Sequence, residues 1–146
     1  MSVPQRYSLV TLGVADVAAS TAFYERLGWR RSSASMEGDV TFIDTPGGIL
    51  GLWSAHELAR DAGSPGADPP TGFRGIALAI NVGSPAEVDD AIAAWVAAGG
   101  TLTRVAAPTD WGGYSGYVAD PDGHLWELAH NPFWPLDDRG MPTLPR

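Results

Sequence analysis

The sequence predicts an α+β fold of two tandem βαβββ modules. Three observations point there: a β-α-β-β-β order of elements that occurs twice, two well-signalled helices, and residue-level similarity between the halves. The first module opens with the apolar, strand-like run Tyr7–Val14. Asp16 then stands as a cap before the helical pattern Val17–Leu27, which Gly28 closes. Arg30–Ser35, Val40–Thr45 and Ile49–Trp53 read as short strands separated by polar or glycine-bearing turns, Pro46-Gly47-Gly48 among them. A short helix follows, with Ser54 and Glu57 at capping-box spacing, and Gly63–Thr71 reads as a linker rich in proline and glycine.

The second module repeats this order. Gly75–Val82 reads as a strand, and Ser84-Pro85-Ala86-Glu87 joins a cap, a first-turn proline and a capping-box glutamate. Val88, Ile92, Trp95 and Val96 form one apolar stripe, which Gly99-Gly100 ends. Thr101–Ala106, Tyr114–Ala119 and His124–Ala129 complete the module. The tail Asn131–Arg146 carries four prolines and reads as irregular, with Phe133 and Trp134 available to dock on the body. Laying residues 41–53 over 116–128 matches Phe42 with Tyr117 and Leu52 with Glu127. The expected organisation is a single domain over residues 1–140, with module one at 5–62, a linker at 63–72, module two at 73–130 and the tail at 131–146. Neither module is long enough to close a core alone.

Composition narrows the function. Nine Lys plus Arg against seventeen Asp plus Glu give a net charge of −8, which repels phosphate backbones, so nucleic acid is not an expected partner. The absence of cysteine excludes disulfides, thiolate nucleophiles and cysteine-bound zinc. The N-terminal MSVPQRYSLV has no secretory pattern and no apolar run approaches about 18 residues, so a cytoplasmic protein without membrane contact is expected.

Leu12-Gly-Val-Ala-Asp-Val17 and Phe23-Tyr-Glu-Arg-Leu-Gly-Trp29, taken with Tyr117-Val-Ala-Asp-Pro-Asp-Gly-His-Leu-Trp-Glu-Leu128, resemble the two diagnostic stretches of the vicinal oxygen chelate superfamily. That group contains glyoxalases, bleomycin resistance proteins and extradiol dioxygenases. The resemblance implies paired βαβββ modules curved into a half-open, barrel-like cup. It also implies four equivalent inward positions at which metal-dependent members carry His, Gln or Glu. Carried onto this chain, these positions fall on Leu9, Leu52, Gly75 and Glu127. Only Glu127 offers a donor, and a catalytic divalent cation generally needs about three, so neither a metal nor another cofactor is expected. His124 and His130 are out of phase with Glu127, and His56 lies in the short helix.

The cup implied by the resemblance is lined as follows. With Glu127 inward, strand alternation turns Leu125 and Ala129 the same way, and the hairpin adds Tyr117 and Ser115. The repeat brings in Phe42, Leu50 and Leu52. The leading strands contribute Leu9, Thr11, Gly75, Ala77 and Ala79. Apolar walls with few polar anchors suit a small organic ligand, the alternative being that these side chains fill a tight core. Trp111 and Tyr114, in a glycine-rich stretch, would form a rim that stacks on a flat molecule, or would pack on Trp134 instead. Trp126 should face the helices.

Three functions fit these residues. The first is a metal-independent binding protein that sequesters a bulky or aromatic natural product, as in drug resistance. The second is a metal-independent lyase or isomerase in which Glu127 is the general base and Tyr117 its hydrogen-bond partner. The third is a metal-dependent lyase or dioxygenase. The resemblance also implies a homodimer, which would cover short edge strands.

Overall fold

The helix signals and the duplicated strand runs become two α-on-β units, residues 1–69 and 70–146, in a computed structural model that describes residues 2–64, 66, 68 and 71–146. Part of the expected linker, at Pro65, Ala67, Pro69 and Pro70, lies outside the described residues. The protein is α+β throughout, with a three-stranded and a four-stranded sheet.

In the first unit β1 (Leu9–Val14), α1 (Val17–Arg26), β2 (Val40–Thr45), β3 (Gly48–Ser54) and α2 (Ala55–Asp61) follow in order. The sheet runs β1-β3-β2, with β1 parallel to β3 and β2 antiparallel to it. Asp16 caps α1 by accepting from the Ala19 N–H at 3.0 Å. The helix buries Phe23 and Tyr24, whose rings meet edge to face at 5.1 Å. Thr21 and Thr41, both buried, share a 2.7 Å hydroxyl hydrogen bond between α1 and β2, so neither is left unsatisfied inside the core.

Residues 30–35 depart from the expected strand and keep only an isolated bridge, Arg31 to Ile43. Serine side chains compete for the backbone here. Ser32 Oγ accepts from the Ala34 N–H, Ser35 N–H bonds the Ser32 carbonyl, and Ser35 Oγ takes the Phe42 N–H. A turn therefore replaces the ladder.

The second unit contains β4 (Ala77–Asn81), α3 (Pro85–Ala97), β5 (Thr101–Pro108), β6 (Tyr114–Ala119) and β7 (Leu125–His130), in a sheet of order β4-β7-β6-β5. Ser84 Oγ accepts from Glu87 N–H at 3.2 Å, and the Glu87 carboxylate reaches back to the Gly83 N–H at 2.6 Å, which closes the capping box one residue earlier than its usual partner. Val88 and Trp95 on α3 are buried, while Val96, at the margin of the stripe, stays 45% exposed. The Trp95 indole donates to the Ala119 carbonyl at 2.8 Å and packs 5.6 Å from Trp126, so Trp126 faces the helix as expected. A Cβ at residue 100 would run into the Trp95 ring, so glycine there is a packing requirement as well as a helix stop.

Candidate functional site

The second sheet has one face against α3 and one away from it. In the second sheet the hydrogen-bond registers place Ala79, Glu127, Tyr117 and Arg104 in a single row across all four strands. The next row holds Asn81, Ala129, Ser115 and Ala107. Both rows face away from α3, because the alternate residues Trp126 and Val118 belong to the α3 side with Trp95. Ala77, Leu125 and Ala119 continue the open face.

A cavity of about 520 Å³ sits on this face. Glu127, Ala79, Asn81 and Ala129 form its floor, and Trp111, Asn131, Phe133 and Trp134 form its walls. The walls come from outside the strands. Trp111 lies over Gly113, where any Cβ would collide with the ring, and Gly112 leaves room for the Phe133 ring. The tail is held by a bridge between Leu136 and Pro142, and by Asp137, which accepts from the Arg139 and Met141 N–H groups at 2.9 Å. These bonds hold the Asp137 carboxyl below its ordinary range. The tail has no helix or strand, as expected, and Phe133 and Trp134 within it wall the cavity.

Tyr117 stands beside Glu127. Burial raises its phenol above the ordinary value, the Glu127 carboxylate adds to the rise through its charge and as hydrogen-bond acceptor, and the Arg104 guanidinium opposes it. At neutral pH Tyr117 is therefore a protonated donor. Arg104 lies over the Tyr117 ring at 5.0 Å, and its Nη2 donates to the Ser115 carbonyl at 2.9 Å and to Ser115 Oγ at 2.7 Å.

The predicted site residues divide into three groups. Glu127, Tyr117, Ser115 and Leu125 share the open face, and Trp111 lines the cavity. Tyr114 does not join them. It pairs with His130 in the opposite phase, and its hydroxyl donates to Asp89 on α3 at 2.7 Å, a bond that also raises its phenol above the usual value. His130 bonds the Val82 carbonyl, His124 meets Arg74, and His56 is exposed on α2.

The third group is the first unit's. Leu9, Thr11 and Phe42 lie on the face turned from α1, as Gly51 shows: a Cβ there would meet Thr11 and Phe42. Leu50 and Leu52 do not share that face. Leu52 pairs with Thr41, which bonds α1, and the two leucines are 4% and 0% exposed, so they belong to the helix-side core. A difference in turn length explains the error. Thr45 pairs with Gly48 around two residues, Pro46 and Gly47, whereas Asp120 and His124 enclose three, Pro121, Asp122 and Gly123. One extra residue reverses the phase of the following strand. The counterpart of Glu127 is therefore Gly51, not Leu52. Likewise Gly75 precedes β4, with φ +77°, and Ala77 stands where Leu9 does in the first unit.

Among the described residues no three His, Cys, Asp or Glu side chains converge as metal ligands. Within the second unit Glu127 is flanked in its row by Ala79 and Tyr117, and one carboxylate with no second charged or imidazole donor beside it does not fit a divalent cation. Sequence reasoning missed Arg104, Asn81 and Asn131. Arg104 follows a register shift between Leu102 and Arg104, which breaks simple alternation; a lone cation in the strand Thr101–Pro108 was its only signal.

Two α-on-β units with strand-helix-hairpin order, one with an acid-floored cavity, define the class. The family model described as Glyoxalase/Bleomycin resistance protein/Dioxygenase superfamily matches residues 6–128, and the chain belongs to that superfamily. It is similar to the crystal structure of a glyoxalase-related enzyme from Fulvimarina pelagi, with 39% identity, a TM-score of 0.85, and 97% of this chain and 99% of that one covered. A glyoxalase/bleomycin resistance protein/dioxygenase from Nocardioides matches at 28% identity and TM-score 0.73, over 88% of this chain and 85% of that one. Lactoylglutathione lyase from Agrobacterium tumefaciens, at 22% identity and TM-score 0.67 over 92% and 100%, shares the fold. No curated protein matches the chain.

Proposed function

We propose that the protein is a metal-independent binder of a small aromatic molecule carrying a cationic or hydrogen-bond-donating group, held in the cavity of the second unit. The observation that carries this reading is the Glu127 carboxylate on the floor of a pocket walled by Trp111, Phe133 and Trp134. Aromatic walls supply contact area and stacking, and a carboxylate among them gives orientation. About 520 Å³ suits a drug-sized guest, which is in keeping with sequestration of an aromatic natural product in the cytoplasm. Among the described residues no helix is long and apolar enough to cross a membrane.

The test uses 4-methylbenzylamine and the neutral 4-methylbenzyl alcohol as probes, in chelator. Glu127→Gln keeps the shape and removes the charge, so it should weaken the amine about ten- to a hundredfold and leave the alcohol nearly unchanged. Equal affinity of both proteins for the amine would overturn the reading.

A second reading, a glyoxalase-like lyase or isomerase with Glu127 as general base, is favoured by one finding: the 39% identical neighbour is described as a glyoxalase-related enzyme. In that case Glu127→Gln would preserve binding of a turned-over compound while cutting its turnover by about 10²–10⁴-fold.

A further inference from the structure

Arg104 is the only basic member of the row that starts on the cavity floor. Its neighbours there are Ala79, Glu127 and Tyr117. Two of its features point to a ligand. It is pre-organised, because two bonds from Nη2 to Ser115 and a cation–π contact with the Tyr117 ring hold the guanidinium before anything binds. It is also unspent: among the described residues no carboxylate forms an ion pair with it, in a chain whose net charge is −8. A surface arginine held for stability would be expected to use one of the many available acids. Its hydrogen bonds within the described residues come from Nη2 alone, which leaves Nε and Nη1 for an outside acceptor.

We propose that Arg104 is an oxyanion subsite, so that the ligand of this face is amphoteric, its cationic or donor end at Glu127 and a carboxylate or similar oxyanion at Arg104. The inference rests on the binding reading above and adds the second charge. Glu127 and Arg104 lie on strands two apart, roughly 10 Å at ordinary strand spacing, and Tyr117 lies between them. A guest spanning them therefore needs a spacer of about one aromatic ring, reaching from Glu127 on the cavity floor past Tyr117 to Arg104 outside the cavity lining. The planar guanidinium matches a carboxylate through two parallel N–H bonds, which an ester cannot reproduce.

The experiment is calorimetry with 4-(aminomethyl)phenylacetic acid, its methyl ester and 4-methylphenylacetic acid, on the unaltered protein, Arg104→Gln and Arg104→Lys. The unaltered protein should prefer the amino acid to its ester by roughly tenfold or more. Arg104→Gln should abolish that preference while keeping the affinity for the ester, and Arg104→Lys should retain part of it. If the acid and ester bind the unaltered protein equally, the oxyanion subsite is refuted and the Glu127 reading stands. If Arg104→Gln keeps the preference, another group reads the acid and the assignment to Arg104 fails. If neither amine binds, the underlying reading fails and takes this inference with it. Should Arg104→Gln not fold, the acid-to-ester ratio in the unaltered and Lys forms decides the matter alone.

Discussion

Replacing Leu52 by alanine separates the two possible phases of β3. Leu52 is 0% exposed and shares the helix-side core with Thr41 and Phe23, so the substitution removes fully buried methyl groups and opens a cavity that a sheet hydrogen-bonded on both sides cannot readily collapse. For such sites the cost is about 3–5 kcal/mol. Leu9→Ala, at a position 43% exposed on the opposite face, should cost well under half as much, since less apolar area leaves water on folding. For a chain of 146 residues, 3 kcal/mol corresponds to a fall in Tm of roughly 6–12 °C. Urea unfolding of both variants, with Tm from calorimetry, reads the difference directly. A Leu52→Ala protein within about 1 kcal/mol of the parent, with altered affinity for an aromatic probe, would place Leu52 on the open face and refute the register argument.

Gly116 meets Ile92 at 2.8 Å and the Ala106 backbone at 3.0 Å from where a Cβ would stand, so Gly116→Ala should destabilise by about 1–3 kcal/mol through overpacking, read by denaturant unfolding. Tyr117 has a phenol raised above the unfolded value of about 10, so the folded state holds its proton longer; the stability this contributes is full below pH 10 and is lost as pH rises through the folded value. Stability–pH curves should accordingly be flatter above pH 10 for Tyr117→Phe than for the parent, and an unchanged slope would contradict the assigned environment. The edge strand β5 exposes Val105 at 70% and Leu102 at 41%, apolar surface that the homodimer implied by the family resemblance would cover; for such a dimer sedimentation equilibrium should give twice the 15.4 kDa chain mass, and a monomer at every concentration would refute it.

Much of the fold was legible because its signals are local. Asp16, Ser54 and Ser84 each cap the helix they were expected to cap. The Tyr117–Glu127 pairing was legible too, since both strands and their turn lie in one short stretch. The errors arose where one residue of length matters. Overlaying the halves presumed equal turns, and the shorter Pro46-Gly47 connection sends Leu50 and Leu52 into the core instead of onto the face of Phe42. Tyr114 was misplaced because aromatic and glycine content indicates a rim without giving strand phase, and the bond to Asp89 is a contact across 25 positions. The aromatic walls from Phe133 and Trp134 depend on how the tail folds back, which no periodicity encodes.

The central claim is that ligand binds on the open face of the second sheet, between Trp111 and Trp134, over Glu127. The side-chain N–H signals of the tryptophans in an NMR titration with 4-methylbenzylamine test it most directly. Trp111 and Trp134 line the cavity, whereas Trp95 and Trp126 lie on the opposite side of the same sheet, with the Trp95 indole bonded to Ala119. Saturable shifts at Trp111 and Trp134, with Trp95 and Trp126 unmoved and the response moved to about ten- to a hundredfold higher amine concentration in Glu127→Gln, are the predicted result. Shifts confined to Trp95 and Trp126, or to Trp29 and Trp53 of the first unit, would contradict it.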